Sequence, residues 1–228
     1  MINSTSLREQ VYSYLRSEIK KGRLEPGSSI NLDQMSRELG ISKTPLKEAL
    51  IKLECEGFVG ALPRRGFQVK QLTQQELKDY YEIIGYLESG VVTSVFDRLQ
   101  APALIKQMQQ SNTEQEKALK AGDFDRYYLL NLEFHDLFLN LSENTTLREL
   151  VVPMKKRLYD FPRQNYWEEW EWVNLDEHRK FIAALETGDR SGAAAVMRNE
   201  HWGWKKHEPY FIKFYNFNST SSRLARKK

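Results

Sequence analysis

The stretch LGISKTPLKEALIKLECEGFV, residues 39–59, constrains the fold of this chain more than any other. Leu46, Ala49, Leu50 and Leu53 recur at i, i+3, i+4 and i+7, so one face of a helix belongs to a core while Thr44, Lys47 and Glu48 point away from it. Ser42 or Thr44 caps its start, and Pro45 is tolerated in the first turn, where its missing N–H would have no partner anyway. The helix either packs on all sides or keeps its first turn free for something outside the protein. Its neighbours decide between the two.

Upstream, Leu7, Val11, Leu15 and Ile19 form an i, i+4 ladder that predicts a helix over about 5–21, followed by a turn at Pro26-Gly27. NLDQMSREL reads as a second helix, capped by Asn31 and stopped by Gly40. Downstream, FVGALP and GFQVKQL are extended runs joined by Pro63-Arg64-Arg65-Gly66. Cys55 is the only cysteine, which excludes a disulfide within the chain and any multi-cysteine zinc site, and it is expected to pack as a small hydrophobe beside Leu53.

Three helices followed by a hairpin with a basic tip are the pattern of a winged helix-turn-helix. The major groove of DNA admits one helix, whose N-terminal turn offers side chains to base edges and N–H groups to phosphate. Arg64 and Arg65 on the wing would reach the minor groove or the backbone, with Gly66 allowing close approach. Residues 1–70 hold 12 Lys/Arg against 8 Asp/Glu, leaving 22 and 23 for the rest, so the basic excess lies where an anionic partner would bind.

Residues 7–70 resemble the GntR family, whose wording includes a Leu-x-Pro-Gly turn, SRTPVREAL and LExEGLV. The resemblance implies that Ser42, Lys43, Thr44, Lys47, Arg65 and Gly66 contact double-stranded operator DNA. Lys43 and Lys47 stand in place of arginines, exchanging bidentate guanine readout for point charges. Asp33 stands where some members carry a DNA-contacting arginine.

From LTQQEL onward the pattern is helical throughout, predicting helices near 73–98, 101–120, 123–142, 145–160, 168–187 and 189–212. The fold class is therefore mainly α: a winged helix-turn-helix over 1–72, a helical effector-binding and dimerisation bundle over 73–215, and a basic tail over 216–228. No signal peptide or transmembrane stretch is evident, so a cytoplasmic protein without membrane contact is expected.

Three of the four histidines, His135, His178 and His201, have spacings that can bring them together. Asn131 and His135 share one helix face, and His178 and His201 are symmetric about the turn TGDRSG, so an antiparallel hairpin would bring their imidazoles to the same height. An oxygen donor and three converging imidazoles can hold a divalent metal with positions left open. Each histidine can equally be a hydrogen-bonded core residue.

This part resembles the FCD branch of the family, an antiparallel helical bundle. That resemblance assigns Asn131, His135, His178 and His201 to zinc or nickel beside a small carboxylate effector. Asn131 replaces an aspartate, and Ile84 replaces the arginine of an Arg-x-x-Leu-Glu motif, which implies an effector less acidic than the usual sugar acids or dicarboxylates. The five tryptophans lie in FPRQNYWEEWEWV and HWGWKKHEPYF, as pocket walls or as packing, and Arg163 and Asn165 are the polar groups a pocket there would use.

The reading that joins these parts is a ligand-responsive, homodimeric DNA-binding regulator, a repressor and not an enzyme. Its rivals are a constitutive DNA-binding regulator with a decayed effector site and a metal-dependent hydrolase.

Overall fold

The computed structural model describes residues 6–160 and 168–215. Arg163, Asn165 and the tail from 216 lie outside the described residues. The described chain falls into two compact units, residues 6–73 with 156–160, and residues 74–155 with 168–215.

In the first unit, helices α1 (Leu7–Lys20), α2 (Leu32–Leu39) and α3 (Lys43–Cys55) enclose one core. Val11, Leu15 and Ile19 of α1 meet Leu46, Ala49, Leu50 and Leu53 of α3, as the periodicity predicts, and Tyr12 joins them, whereas Leu7, the first residue of the α1 ladder, is exposed in the helix's opening turn. Each large aliphatic side chain so buried contributes about 1.5–3 kcal/mol. Asn31 caps α2 by accepting the N–H groups of Asp33 and Gln34, and Gly40 ends it at φ 64°.

Strands β2 (Val59–Leu62) and β3 (Gly66–Val69) form the expected hairpin. A third strand, β1 (Ser29–Ile30), pairs antiparallel with β3, giving the order β1-β3-β2. Two residues are too few for a periodic signal, which is why the sequence reads there as turn. The structure explains Gly66 from this strand: its φ is 96°, and a Cβ would lie 2.3 Å from the carbonyl oxygen of Ile30. Cys55 does not pack beside Leu53; it is exposed, because two residues along a helix turn the side chain about 200° away.

The second unit is built from α4 (Gln74–Ser94), α5 (Phe96–Leu99), α6 (Pro102–Lys120), α7 (Phe124–Leu139), the part of α8 (Thr145–Asp160) up to Lys155, α9 (Glu168–Glu186), α10 (Arg190–Ala195) and α11 (Trp204–Tyr215). The first long helix breaks at Val95, after Thr93 and Ser94 have turned their hydroxyls onto the carbonyls of Ser89 and Val91. The last long helix is also interrupted: α10 runs into a π-helical turn, Val196–His201, before Gly203 and α11. Gly203 has no room for a side chain, since a Cβ would sit 2.0 Å from the carbonyl oxygen of Asn199. Among the described residues, no helix is long and apolar enough to cross a membrane.

Candidate functional site

Two groups of residues stand apart from ordinary packing. The first is the start of α3 and the hairpin tip. Ser42 occupies the N-cap position of α3 but makes no side-chain cap hydrogen bond, and Pro45 has no N–H to offer. The first turn therefore presents backbone donors with no side-chain acceptor of its own. Ser42, Lys43, Thr44 and Lys47 are exposed, as are Arg64 and Arg65. Arg64 has a φ of 62°, unusual for a residue with a side chain, and it carries the turn that sets Arg65 on the wing. Lys43 pairs with Asp33 of α2, whose carboxyl is held below its ordinary range by that lysine.

The second group is buried in the helical unit. His135 of α7, His178 of α9 and His201 at the end of the π-turn each offer a ring nitrogen, and these atoms lie within 4.8 Å of one another. The ring centroids of His178 and His201 are 4.8 Å apart, which is the hairpin geometry that the turn at Gly188-Asp189 makes possible. Phe134 stacks on His178 at 4.0 Å and holds its plane. Asn131, one turn before His135, is buried on the same face of α7.

Each outer imidazole is oriented by a buried carboxylate. Glu88 of α4 accepts from His135 Nδ1 at 2.8 Å, from Trp202 Nε1 at 2.7 Å and from Lys155 Nζ at 2.8 Å. Glu177 lies 3.2 Å from His201 Nδ1 and 2.5 Å from Lys206 Nζ. With Nδ1 of His135 given to Glu88, its Nε2 is buried without a hydrogen-bond partner, and both ring nitrogens of His178 are in the same state. Buried polar atoms are nearly always satisfied, so three orphaned nitrogens at one point mark a place where a ligand or an ion fits.

Burial disfavours imidazolium here. It lowers His135 to about 3, against the pull of Glu88, and holds His178 well below the ordinary histidine range. Both rings are neutral near pH 7, the form in which imidazole donates to a metal. Burial pushes Glu88 upward, but the surrounding His135 and Lys155 outweigh it and keep the carboxyl below its usual range.

The fourth histidine has another task. His207 accepts from Trp170 Nε1 at 2.7 Å and donates Nε2–H to the carbonyl of Glu200 at 2.9 Å, fixing the backbone beside His201. Trp170, Trp202 and Trp204 are buried among Tyr81, His207 and Phe211, so these tryptophans are packing elements. Ile84 is fully buried one turn before Glu88 on α4.

Lys155 escapes the sequence reading, although a signal exists. Val151, Lys155 and Leu158 fall at i, i+4 and i+7 and all three are buried, so the lysine sits on an apolar face. The π-turn has no comparable signature in MRNEHWG.

The family model described as bacterial regulatory proteins, gntR family, matches residues 7–69, and the FCD domain model matches residues 79–201. The chain belongs to the GntR family, FCD type. The HTH-type transcriptional regulator YdhC of Bacillus subtilis is 29% identical over 81% of this chain and 83% of its own length. The Nta operon transcriptional regulator of Aminobacter aminovorans is 28% identical over 88% and 96%. The gluconate operon transcriptional repressor of Bacillus subtilis is 25% identical over 83% and 80%. Among solved structures, E. coli McbR/YncC shares the fold at a TM-score of 0.69, with 21% identity, 91% of this chain and 100% of its own covered. As a GntR protein of the FCD type, the chain is a DNA-binding transcriptional regulator and not an enzyme, which removes the hydrolase reading.

Proposed function

We propose that this GntR regulator is a homodimer that senses a small molecule through a divalent metal held by Asn131, His135, His178 and His201. The observation that carries this reading is the convergence of three buried imidazoles, among which the ring nitrogens His135 Nε2, His178 Nδ1 and His178 Nε2 have no hydrogen-bond partner. Nitrogen donors with one amide oxygen suit zinc or nickel better than magnesium or calcium. An ion held there would supply Lewis acidity toward an effector oxygen.

The chain's own residues prepare that event. Glu88 and Glu177 fix the Nδ1–H tautomers of His135 and His201, so the Nε2 lone pairs face inward. Effector contacts are assigned to the neighbourhood of Ile84 and to Arg163 and Asn165. Residues 1–72 are assigned to operator binding, with Ser42, Lys43, Thr44 and Lys47 in the major groove and Arg64, Arg65 and Gly66 at the wing. Residues 73–215 are assigned to sensing and dimerisation. An effector that binds one arrangement of the two DNA-binding units better than the other shifts operator affinity by that difference. The gluconate operon repressor among the relatives favours repression as the output.

Metal analysis of the purified protein, with His178→Ala beside it, tests the sensing half. About one equivalent of zinc or nickel in the wild type and little in the variant is expected. Equal content in both, or none in either, removes the metal. Capture of fragmented genomic DNA tests the other half, with enrichment of a short near-palindrome expected.

A further inference from the structure

The C-terminal end of α3 is where the two DNA-facing parts of the first unit diverge. The helix runs back from it to Lys47, Thr44 and Lys43, and strand β2 runs forward from Val59 to the hairpin tip with Arg64 and Arg65. Gly57 is the pivot between them. Its φ is 81°, its N–H donates to the carbonyl of Glu54 at 2.9 Å, and the next N–H, of Phe58, donates to that of Leu53 at 2.8 Å. A left-handed residue of this kind ends a helix and sets the direction in which the chain leaves it.

Side chains tie this pivot to its surroundings. Glu56 accepts from the Tyr12 hydroxyl of α1 at 2.7 Å, and Glu54 Oε1 accepts from the N–H of Ala61 in β2 at 2.7 Å. A further tie comes from far along the chain. A Cβ at Gly57 would lie 2.6 Å from Nη1, 2.9 Å from Cζ and 3.1 Å from Nε of Arg157, so the guanidinium rests against the bare backbone of Gly57. Gly27 and Gly40, also at positive φ in this unit, have nothing within 4 Å of the same position.

Arg157 stands in the last turn of α8, whose residues from Lys156 onward group with the first unit, and it is 6% exposed. The DNA-binding unit therefore takes in a turn of helix from the stretch assigned to sensing. A buried guanidinium is costlier than the leucine or methionine that would fill the same space, because it has to be taken out of water. A cation is nonetheless useful at this point. The last carbonyls of a helix carry partial negative charge, and the planar fork of an arginine can lie against a backbone where no side chain intervenes.

We infer that Arg157 is a positioning residue for operator recognition: its guanidinium, seated on Gly57, holds the angle between α3 and the wing. The inference rests on the assignment of α3 and the wing to operator binding. Reading base edges requires helix and wing to reach the duplex at one angle, whereas attraction to phosphates survives small changes of angle. Arg157 touches no base and acts through Gly57 alone.

The test uses the full chain and two duplexes, one selected by the wild-type protein from random-sequence DNA and a scramble of it. Arg157→Ala should weaken binding of the selected duplex about tenfold or more and of the scramble much less, so that preference falls. Gly57→Ala pushes a methyl into the guanidinium, and the strain of its positive φ is the same whichever residue stands at 157. It should therefore lower affinity for the selected duplex in the wild-type background and lower it severalfold less in the Arg157→Ala background, where the methyl meets no guanidinium. Equal effects of Gly57→Ala in both backgrounds, or equal weakening of both duplexes by Arg157→Ala, would make Arg157 a packing residue and overturn the inference. If Arg157→Ala does not fold, Arg157→Lys decides, since it keeps the charge and most of the stem but lacks the planar fork: a reduced preference supports the inference, and an unchanged one overturns it. Lys47→Ala combined with Arg65→Ala tests the underlying assignment separately. If that variant binds both duplexes like the wild type, α3 and the wing are not the DNA surface and the operator reading fails first.

Discussion

Lys155 Nζ and Glu88 Oε1 are 2.8 Å apart, and neither side chain reaches solvent. An ion pair in such a place is weak evidence of stability in itself, since desolvation offsets much of the attraction. Removing one partner is a different matter. Lys155→Met leaves Glu88 charged and buried with only His135 and Trp202 to bond it, and a loss of about 3–5 kcal/mol is expected. Combining Lys155→Met with Glu88→Gln removes both charges and should recover a good part of that loss. Urea denaturation of the two single variants and the double variant checks this, and additive losses would show that the two side chains act independently.

The buried histidines make stability depend on pH in a stated direction. His135 and His178 have folded-state values below that of an unfolded histidine, near 6.5, so the unfolded chain binds more protons as the solution is acidified. Their contribution is complete above about pH 6.5 and is lost as pH falls from there, toward about 3 for His135. Each costs up to about 1.4 kcal/mol per pH unit in that window. The chelator-treated protein should therefore lose stability between pH 6.5 and 4.5. His178→Phe, which keeps an aromatic plane against Phe134, should lose it about one proton less steeply.

Gly66 separates local conformation from packing. Gly66→Ala meets both a φ of 96° and the Ile30 carbonyl at 2.3 Å, so the β1–β3 pairing has to open. A loss of about 1–3 kcal/mol is expected from the strained backbone alone. Gly27→Ala, at φ 82° with nothing within 4 Å of the new methyl, should cost less. Thermal unfolding of the two variants side by side measures the difference.

What the sequence disclosed follows from how far each signal reaches along the chain. The cores of α1 and α3 were legible because Leu15, Ile19, Leu46 and Leu50 repeat at helical spacing, and Asn31 and Gly40 mark the ends of α2 by local chemistry. The pairing of His178 with His201 was legible because one turn relates them by symmetry. Strand β1 was not, since its pairing sets Ile30 against Phe67, 37 residues away. The same holds for Glu88, which bonds side chains at 135, 155 and 202 from three other parts of the chain. No local pattern announces such a meeting. The π-turn is also a tertiary product: it places His201 beside Glu177 while His207 holds the carbonyl of Glu200.

The exposed residues of the first unit separate base readout from phosphate contact. Lys47 stands one turn into α3 on the solvent face, where a major-groove helix presents its side chains to base edges. Lys47→Ala is expected to lower affinity for the preferred site by about 1–3 kcal/mol and to relax specificity at one position. Arg65, at the hairpin tip, is expected to meet the backbone; Arg65→Ala should weaken all sequences alike and reduce the salt slope by about 1. Asp33 is exposed and pairs with Lys43, the neighbouring cation on α3. Asp33→Asn frees that lysine and removes a negative charge from the surface, so affinity for any duplex should rise and the salt dependence should steepen. Binding isotherms on the enriched site and on a scrambled duplex, each at several salt concentrations, distinguish the three variants. A Lys47→Ala variant that weakens both duplexes equally would move Lys47 from base readout to the backbone.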